Sequence, residues 1–274
     1  MAELNKQHFD KLLECCRGIL ATPSDERTSA WVGKSTRAWL ESVTKGQGAA
    51  LLDVDPSNFS SAPFDRRKLS EKIAQSGSNL GDQNLRDLIM DIFAWGVMSA
   101  RNARLALPRW DEWKAPCIAL LQGCDAVDGY YQFYTLQKNN ILAGLGPAYY
   151  TKIIYFLGKG DGLIMDQWTS RSINLLLGKE IIKLQAGQRK ATNSDRYYTV
   201  KPTNDQGVYA AYNEAIEVIA SKLSENLQEE VSLAETEEFI FSFTTDRKKS
   251  SHLSDDQYKR STAWRRYVEE NHRP

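Results

Sequence analysis

The chain has 274 residues, 42% of them hydrophobic and 26% charged, and its formal net charge is zero. That length holds one large domain or two small lobes, and the composition is that of an ordinary soluble globular protein. A pI of about 6.8 argues against bulk, nonspecific coating of nucleic acid, which needs a basic surface, but leaves room for a local basic groove.

Apolar residues recur mostly at three- and four-residue spacing, and alternating strand-like runs are scarce, so the expected fold class is all-α. Phe9, Leu12, Leu13 and Ile19 mark a first helix ending near Thr22-Pro23. Ser24 or Asp25 is the expected cap of a second, with Trp31, Ala38, Trp39 and Leu40 on its buried side. Residues 45–64 read as a long loop punctuated by Gly, Pro and Ser, and the next helix starts near Asp65. A strong helical stretch runs from Asn84 to Leu107, bent at Trp95-Gly96 and stopped by Pro108. Helix continues through 115–123 and 125–139. Residues 186–207 read as another long loop, followed by helices over Tyr209–Leu223 and Glu235–Phe243. The organisation expected is one two-lobed helical domain over 1–244, then a polar, charged tail over 245–274 that is mobile or peripheral.

No apolar run approaches the about 20 residues that span a bilayer, and the N-terminus carries no secretory signal. A cytoplasmic protein with no membrane partner is expected, nucleoid-associated if bacterial. Cys15, Cys16, Cys117 and Cys124 form neither a CxxC pair nor an iron–sulfur spacing, so packed, reduced thiols and no metal site are expected. His8, His252 and His272 lie near the chain ends. A Ser–His or Cys–His nucleophile pair would need a central histidine, which leaves catalysis to carboxylate, amine, hydroxyl or backbone groups.

The most informative segment is 142–173. Gly144-Leu145-Gly146 makes a tight turn, Pro147 suits the first position of the next helix, and Asp166 lies 22 residues after Gly144. Free N–H groups at such a turn can bind a phosphate oxygen without net positive charge. The flanking helices, about 125–140 and 147–157, complete a helix–hairpin–helix; a plain helical corner is the alternative. A dinucleotide-binding fingerprint is disfavoured, since no strand precedes the glycines and the third glycine is missing. Asp166, taken alone, is an ordinary helix N-cap.

Taken together, Gly144-Leu145-Gly146, Leu157-Gly158-Lys159, Leu163-Ile164-Met165, Asp166 and Arg171 resemble the signature of the helix–hairpin–helix DNA glycosylase superfamily. The match is specific over about thirty residues within 125–178, and is nearest to the 8-oxoguanine glycosylase-like branch without an iron–sulfur cluster. The resemblance implies a two-lobed helical fold with the active site between lobes, acting on double-stranded DNA that contains a modified base. It implies that Asp166 faces the sugar of a flipped-out nucleotide and stabilises charge developing at C1′ as the N-glycosidic bond breaks. No cofactor is required, although a monovalent cation at the hairpin turn is compatible, and no obligate protein partner is evident.

One departure matters. Bifunctional members carry a lysine where this chain has Ala148, which favours a monofunctional glycosylase. Lys152, one turn further along the same helix face, is the candidate Schiff-base amine, with a phosphate contact or a solvated lysine as its other readings. The resemblance also places Gly144, Leu145, Gly146, Ala148, Gln167, Trp168 and Arg171 on the DNA strand; a core indole for Trp168 and a tether for Arg171 are the alternatives. Arg101 and Asn102, with Ser99 and Arg104, lie where relatives insert side chains into the gap left by the flipped base. Tyr130, Tyr131, Phe133, Tyr134, Tyr149 and Tyr150 are either a base-stacking pocket or core around the hairpin.

The reading is a DNA glycosylase that leaves an abasic site, with Asp166 essential. Its substrate is either a damaged purine such as 8-oxoguanine, in repair, or a hypermodified base such as glucosylated hydroxymethylcytosine of phage DNA, in defence. The rival is a non-enzymatic helix–hairpin–helix DNA-binding protein, which needs the hairpin but not Asp166.

Overall fold

Buried apolar positions at helical spacing dictate the architecture. The computed structural model describes residues 3–17, 31–45, 54–78, 80–186, 198–241 and 255–272, with side chains from 263 onward in the last segment. The chain divides into two units, Trp31–Gly162 and a second formed by Met1–Ala30 with Leu163–Pro274. Helices supply nearly all regular structure among the described residues, as the sequence periodicity implies.

The Trp31–Gly162 unit is built around α4 (Asp82–Trp95), whose last six residues are all buried. A helix apolar on every side belongs in the middle of a core. Around it lie α2 (Thr36–Thr44), α3 (Arg66–Ser76), α5 (Ala100–Ala106), α6 (Trp110–Trp113), α7 (Ala115–Leu121), α8 (Ala126–Lys138) and α9 (Pro147–Leu157). Polar caps set the helix starts. Asp65 accepts from the Lys68 N–H at 2.8 Å, Ser99 from Asn102 at 3.2 Å, and Asp125 from Val127 and Asp128 at 2.8 and 2.9 Å. Between α4 and α5 the chain turns at Val97, a left-handed residue with φ of 50°, so the bend expected at Trp95-Gly96 is present. The buried Asp91 carboxylate accepts from the Thr36 hydroxyl and pairs with the Lys72 ammonium, each at 2.6 Å.

Two expectations change here. Helix α2 begins at Thr36 with Ser35 as its cap; Trp31 therefore precedes it and Ala38 is exposed, while Ser24 and Asp25 lie outside the described residues. The cause is Gly33, whose segment bonds to Phe64 and Ala94 and forms the bridge Val32–Asp65. A Cβ on Gly33 would stand 2.3 Å from the Trp95 Cα, so this close backbone approach holds 31–34 out of helix.

The second unit contains α1 (Lys6–Arg17), α10 (Gln167–Leu177), strands β1 (Leu184–Ala186) and β2 (Tyr198–Val200), α11 (Gln206–Leu227), α12 (Leu233–Phe241) and α13 (Asp255–Asn271). Helix α10 is buried from Trp168 to Leu177 and packs against α1, α11, α12 and α13. Gly178 ends it in the left-handed conformation at φ 63°. The loop expected over 186–207 is in part an antiparallel pair, Leu184 opposite Val200, with 187–197 outside the described residues. Three-residue strands are too short to show alternation.

Of the tail expected over 245–274 as mobile or peripheral, residues 245–254 lie outside the described residues and Asp255–Asn271 form α13. That helix buries Trp264 and Val268, each 1% exposed, and packs against α1, α10 and α12. Composition concealed this because two apolar residues four apart suffice to dock an otherwise polar helix.

Candidate active site

The hairpin lies between α8 and α9, which pack on each other. Asn140 reverses the chain at φ 58°, and the Arg109 guanidinium donates to its carbonyl at 3.3 Å. Gly144 has φ of 78°, and a Cβ there would lie 2.5 Å from the Asn102 carbonyl and 3.0 Å from the Leu105 Cβ. Only glycine fits that position. Gly146 differs: it is an extended N-cap at φ −92°, and nothing stands within 4 Å of its missing Cβ. Its freedom is not conformational but one of access. Leu145 is 1% exposed, so its side chain is core and only its backbone is available to a ligand. Among the described residues no acceptor meets the N–H of Gly144, Gly146 or Ala148. Unmet N–H groups at a helix start are of the kind that can receive an anion's oxygens.

The Gly144 contact brings α5 to the hairpin, and with it Arg101 and Asn102. Arg101 is exposed and Asn102 half-buried. Arg104 is committed elsewhere: it donates to the carbonyls of Val43 at 2.6 Å and Lys45 at 3.0 Å, closing the C-terminus of α2. Ser99 serves as the α5 cap.

Lys152 is 9% exposed, which removes the solvated-lysine reading. Its Nζ donates to the Ala148 carbonyl at 2.6 Å and lies 5.8 Å from the Tyr149 ring centroid. Its stem crosses Gly96, where a Cβ would meet Lys152 Cδ at 2.6 Å. The glycine beside Trp95 is thus the space in which this lysine lies.

Asp166 caps α10. Its Oδ1 accepts from the N–H groups of Trp168 at 2.7 Å and Thr169 at 3.1 Å. Thr169 Oγ1 accepts from the Asp166 N–H at 3.0 Å, which completes a capping box. Oδ2 takes no hydrogen bond among the described residues. One oxygen is therefore fixed by the start of α10 and the other is uncommitted among the described residues.

The neighbours expected on DNA are engaged within their own unit. Gln167 Oε1 accepts from the Tyr198 N–H at 3.0 Å, tying α10 to β2. Trp168 is 9% exposed, with the Arg265 guanidinium 3.5 Å and the Arg171 guanidinium 4.7 Å from its ring. Arg171, 3% exposed, donates to the carbonyls of His272 at 2.7 Å and Val268 at 3.4 Å. It is a tether closing the C-terminus of α13, where a cation also meets the negative end of the helix dipole. These contacts fit the core indole named as the alternative for Trp168 and the tether named as the alternative for Arg171.

The aromatic cluster is mostly core. Phe133 stacks on Tyr150 at 5.3 Å and Tyr130 meets it edge-on at 5.1 Å, all three fully buried. Tyr131 is 50% exposed. Burial also pushes the Cys117 thiol up, and all four cysteines are free. No group of His, Cys, Asp or Glu able to hold a metal occurs among the described residues, and none of their helices is long and apolar enough to cross a membrane.

Sequence reasoning missed the residues that hold Leu163 and Ile164. Tyr209, Tyr212 and Glu237 reach this segment from α11 and α12. The i, i+3 spacing of the two tyrosines was a legible sign of one helix face, but their target lies 46 and 48 residues away in the chain.

Comparison with curated proteins and with solved structures gave no match. A family model described as "Putative 8-oxoguanine DNA glycosylase OGG-like protein" matches residues 27–241. That span contains the hairpin, Lys152 and Asp166, and on it the chain belongs to the 8-oxoguanine DNA glycosylase OGG-like family.

Proposed function

We propose that this protein is a DNA glycosylase that takes a modified base out of the duplex and hydrolyses its N-glycosidic bond. The observation that carries the reading is the Asp166 carboxylate, with Oδ1 pinned by two backbone N–H groups and Oδ2 uncommitted. As the glycosidic bond breaks, the base leaves with the bonding electrons and C1′ becomes positive. A fixed carboxylate stabilises that charge without reorganising, and water attacks C1′ to leave an abasic site. Flipping is part of the reading because C1′ is not accessible within the stack. The donors of Gly144, Gly146 and Ala148 are assigned to a strand phosphate, with a monovalent cation at the turn as an added counter-charge.

Membership of the OGG-like family supports 8-oxoguanine, or another damaged purine, as the base and repair as the setting. The alternative to water is Lys152: its amine attacks C1′ as the base leaves, the ring opens at O4′ to a Schiff base, and β-elimination of the 3′-phosphate cuts the strand.

The experiment is a base-release screen by mass spectrometry on oxidised, alkylated and phage-type glucosylated duplexes. Release of 8-oxoguanine is expected. Release only of glucosylated hydroxymethylcytosine moves the protein to phage defence, and duplex binding with no release from any substrate leaves a non-enzymatic DNA-binding protein.

A further inference from the structure

We infer that Tyr212 and Glu237 are positioning residues for Asp166, acting through the backbone of Ile164; the inference rests on the glycosylase reading. Leu163, Ile164 and Met165 are at most 3% exposed, yet they belong to no helix or sheet. Buried peptide groups outside regular structure need partners from side chains. The Tyr209 hydroxyl accepts from the Leu163 N–H and donates to its carbonyl, both at 3.0 Å. The Glu237 carboxylate, 2% exposed, accepts from the Ile164 N–H at 3.1 Å. The Tyr212 hydroxyl donates to the Ile164 carbonyl at 2.6 Å. Helices α12 and α11 thus hold the N–H and the carbonyl of Ile164 respectively.

The same carbonyl is the link to the carboxylate. It accepts from the Asp166 N–H at 3.2 Å and from Thr169 Oγ1 at 3.0 Å, and Thr169 in turn supplies the cap to Asp166 Oδ1. A shift of Ile164 is therefore carried to Asp166 through two short hydrogen-bonded connections. Burial, with Glu237 next in weight, pushes the Tyr212 phenol up, so the hydroxyl keeps its proton and remains a donor. Small displacements of a positioned group cost rate more than binding. The clamp accordingly acts on the bond-breaking step.

The test uses the full chain and whichever duplex of the screen the wild type cleaves fastest. Single-turnover release, duplex Kd and thermal melting are measured for Tyr212→Phe, Glu237→Leu and Glu237→Gln. Ser172→Ala is the control: Ser172 donates from α10 to the Ile240 carbonyl of α12 at 2.7 Å without touching the clamp. Tyr212→Phe and Glu237→Leu are expected to slow release about tenfold to a hundredfold with Kd within about twofold. Glu237→Gln, which keeps an acceptor oxygen, is expected to recover most of the rate. Tyr212→Phe removes one oxygen and leaves the ring, so it remains informative if Glu237→Leu does not fold. Unchanged rates in Tyr212→Phe and Glu237→Leu overturn the inference alone, as does equal slowing in a Ser172→Ala protein of the same melting temperature. A wild type that releases no base overturns the glycosylase reading and this inference with it.

Discussion

The ε-amino nitrogen of Lys152 stands 2.6 Å from the carbonyl oxygen of Ala148, so the amine lies against the first turn of α9, beside the position at which the resemblance would have placed a lysine. The space for it is made by Gly96, whose added Cβ would strike the lysine stem.

If the Lys152 amine takes the place of water at C1′, borohydride reduction during turnover should trap a covalent protein–DNA adduct; hydrolysis by water gives none. Lys152→Ala should abolish the adduct. Gly96→Ala, which forces the stem aside, should reduce it at least about tenfold while duplex affinity holds. Trapping that persists undiminished in Lys152→Ala would remove Lys152 from the chemistry.

The two hairpin glycines should behave differently. Gly144→Ala combines a left-handed backbone with a 2.5 Å clash on the Asn102 carbonyl, and should cost about 2–4 kcal/mol in denaturant unfolding. Gly146→Ala meets open space and should change stability by less than about 0.5 kcal/mol. If Gly146 lies against a phosphate, its added methyl should weaken duplex binding at low salt by about tenfold, roughly one charge-assisted hydrogen bond. Equal stability losses in both variants would contradict this division of labour.

The contrast shows what was legible beforehand. The hairpin, the Pro147 start of α9 and the Asp166 start of α10 were all readable because caps, prolines and glycines act locally. For Trp168 and Arg171 a core indole and a tether could be named as alternatives, but not the partners. A segment pattern placed them beside Asp166, but their contacts lie on α13, about a hundred residues further along the chain. The same holds for Tyr212 and Glu237, whose significance is visible only once α11 and α12 reach the Ile164 backbone. Docking of α13 through Trp264 and Val268 was hidden in a segment whose composition is polar.

Arg171 gives a stability prediction and a pH prediction together. Arg171→Ala removes two hydrogen bonds to the α13 C-terminus and should cost about 2–3 kcal/mol, and Arg171→Lys should not restore it, since a single ammonium cannot reproduce the planar fork. Beside it, burial and then the Arg171 charge lower the His272 imidazole to about 4. The unfolded chain, with an ordinary histidine near 6.5, binds a proton first as pH falls. This contribution is full above about pH 6.5, and is lost between there and about pH 4. Because the ring is partly exposed, roughly 1–2 kcal/mol is expected after screening. Denaturant unfolding at pH 7.5 and 5 should show the loss in the wild type and a smaller loss in His272→Asn. An identical pH dependence in the two proteins would contradict it.

The proposed chemistry turns on one oxygen, Oδ2 of Asp166. Asp166→Asn keeps an efficient N-cap and nearly the same shape, but it removes the negative charge meant to face C1′. Single-turnover release of 8-oxoguanine by this variant tests the account most directly. The predicted result is a rate lowered by at least about a thousandfold, as for loss of a major electrostatic stabiliser, with melting temperature and duplex affinity close to the wild type. A variant that releases the base at the wild-type rate would contradict the assignment of Asp166 and with it the proposed mechanism.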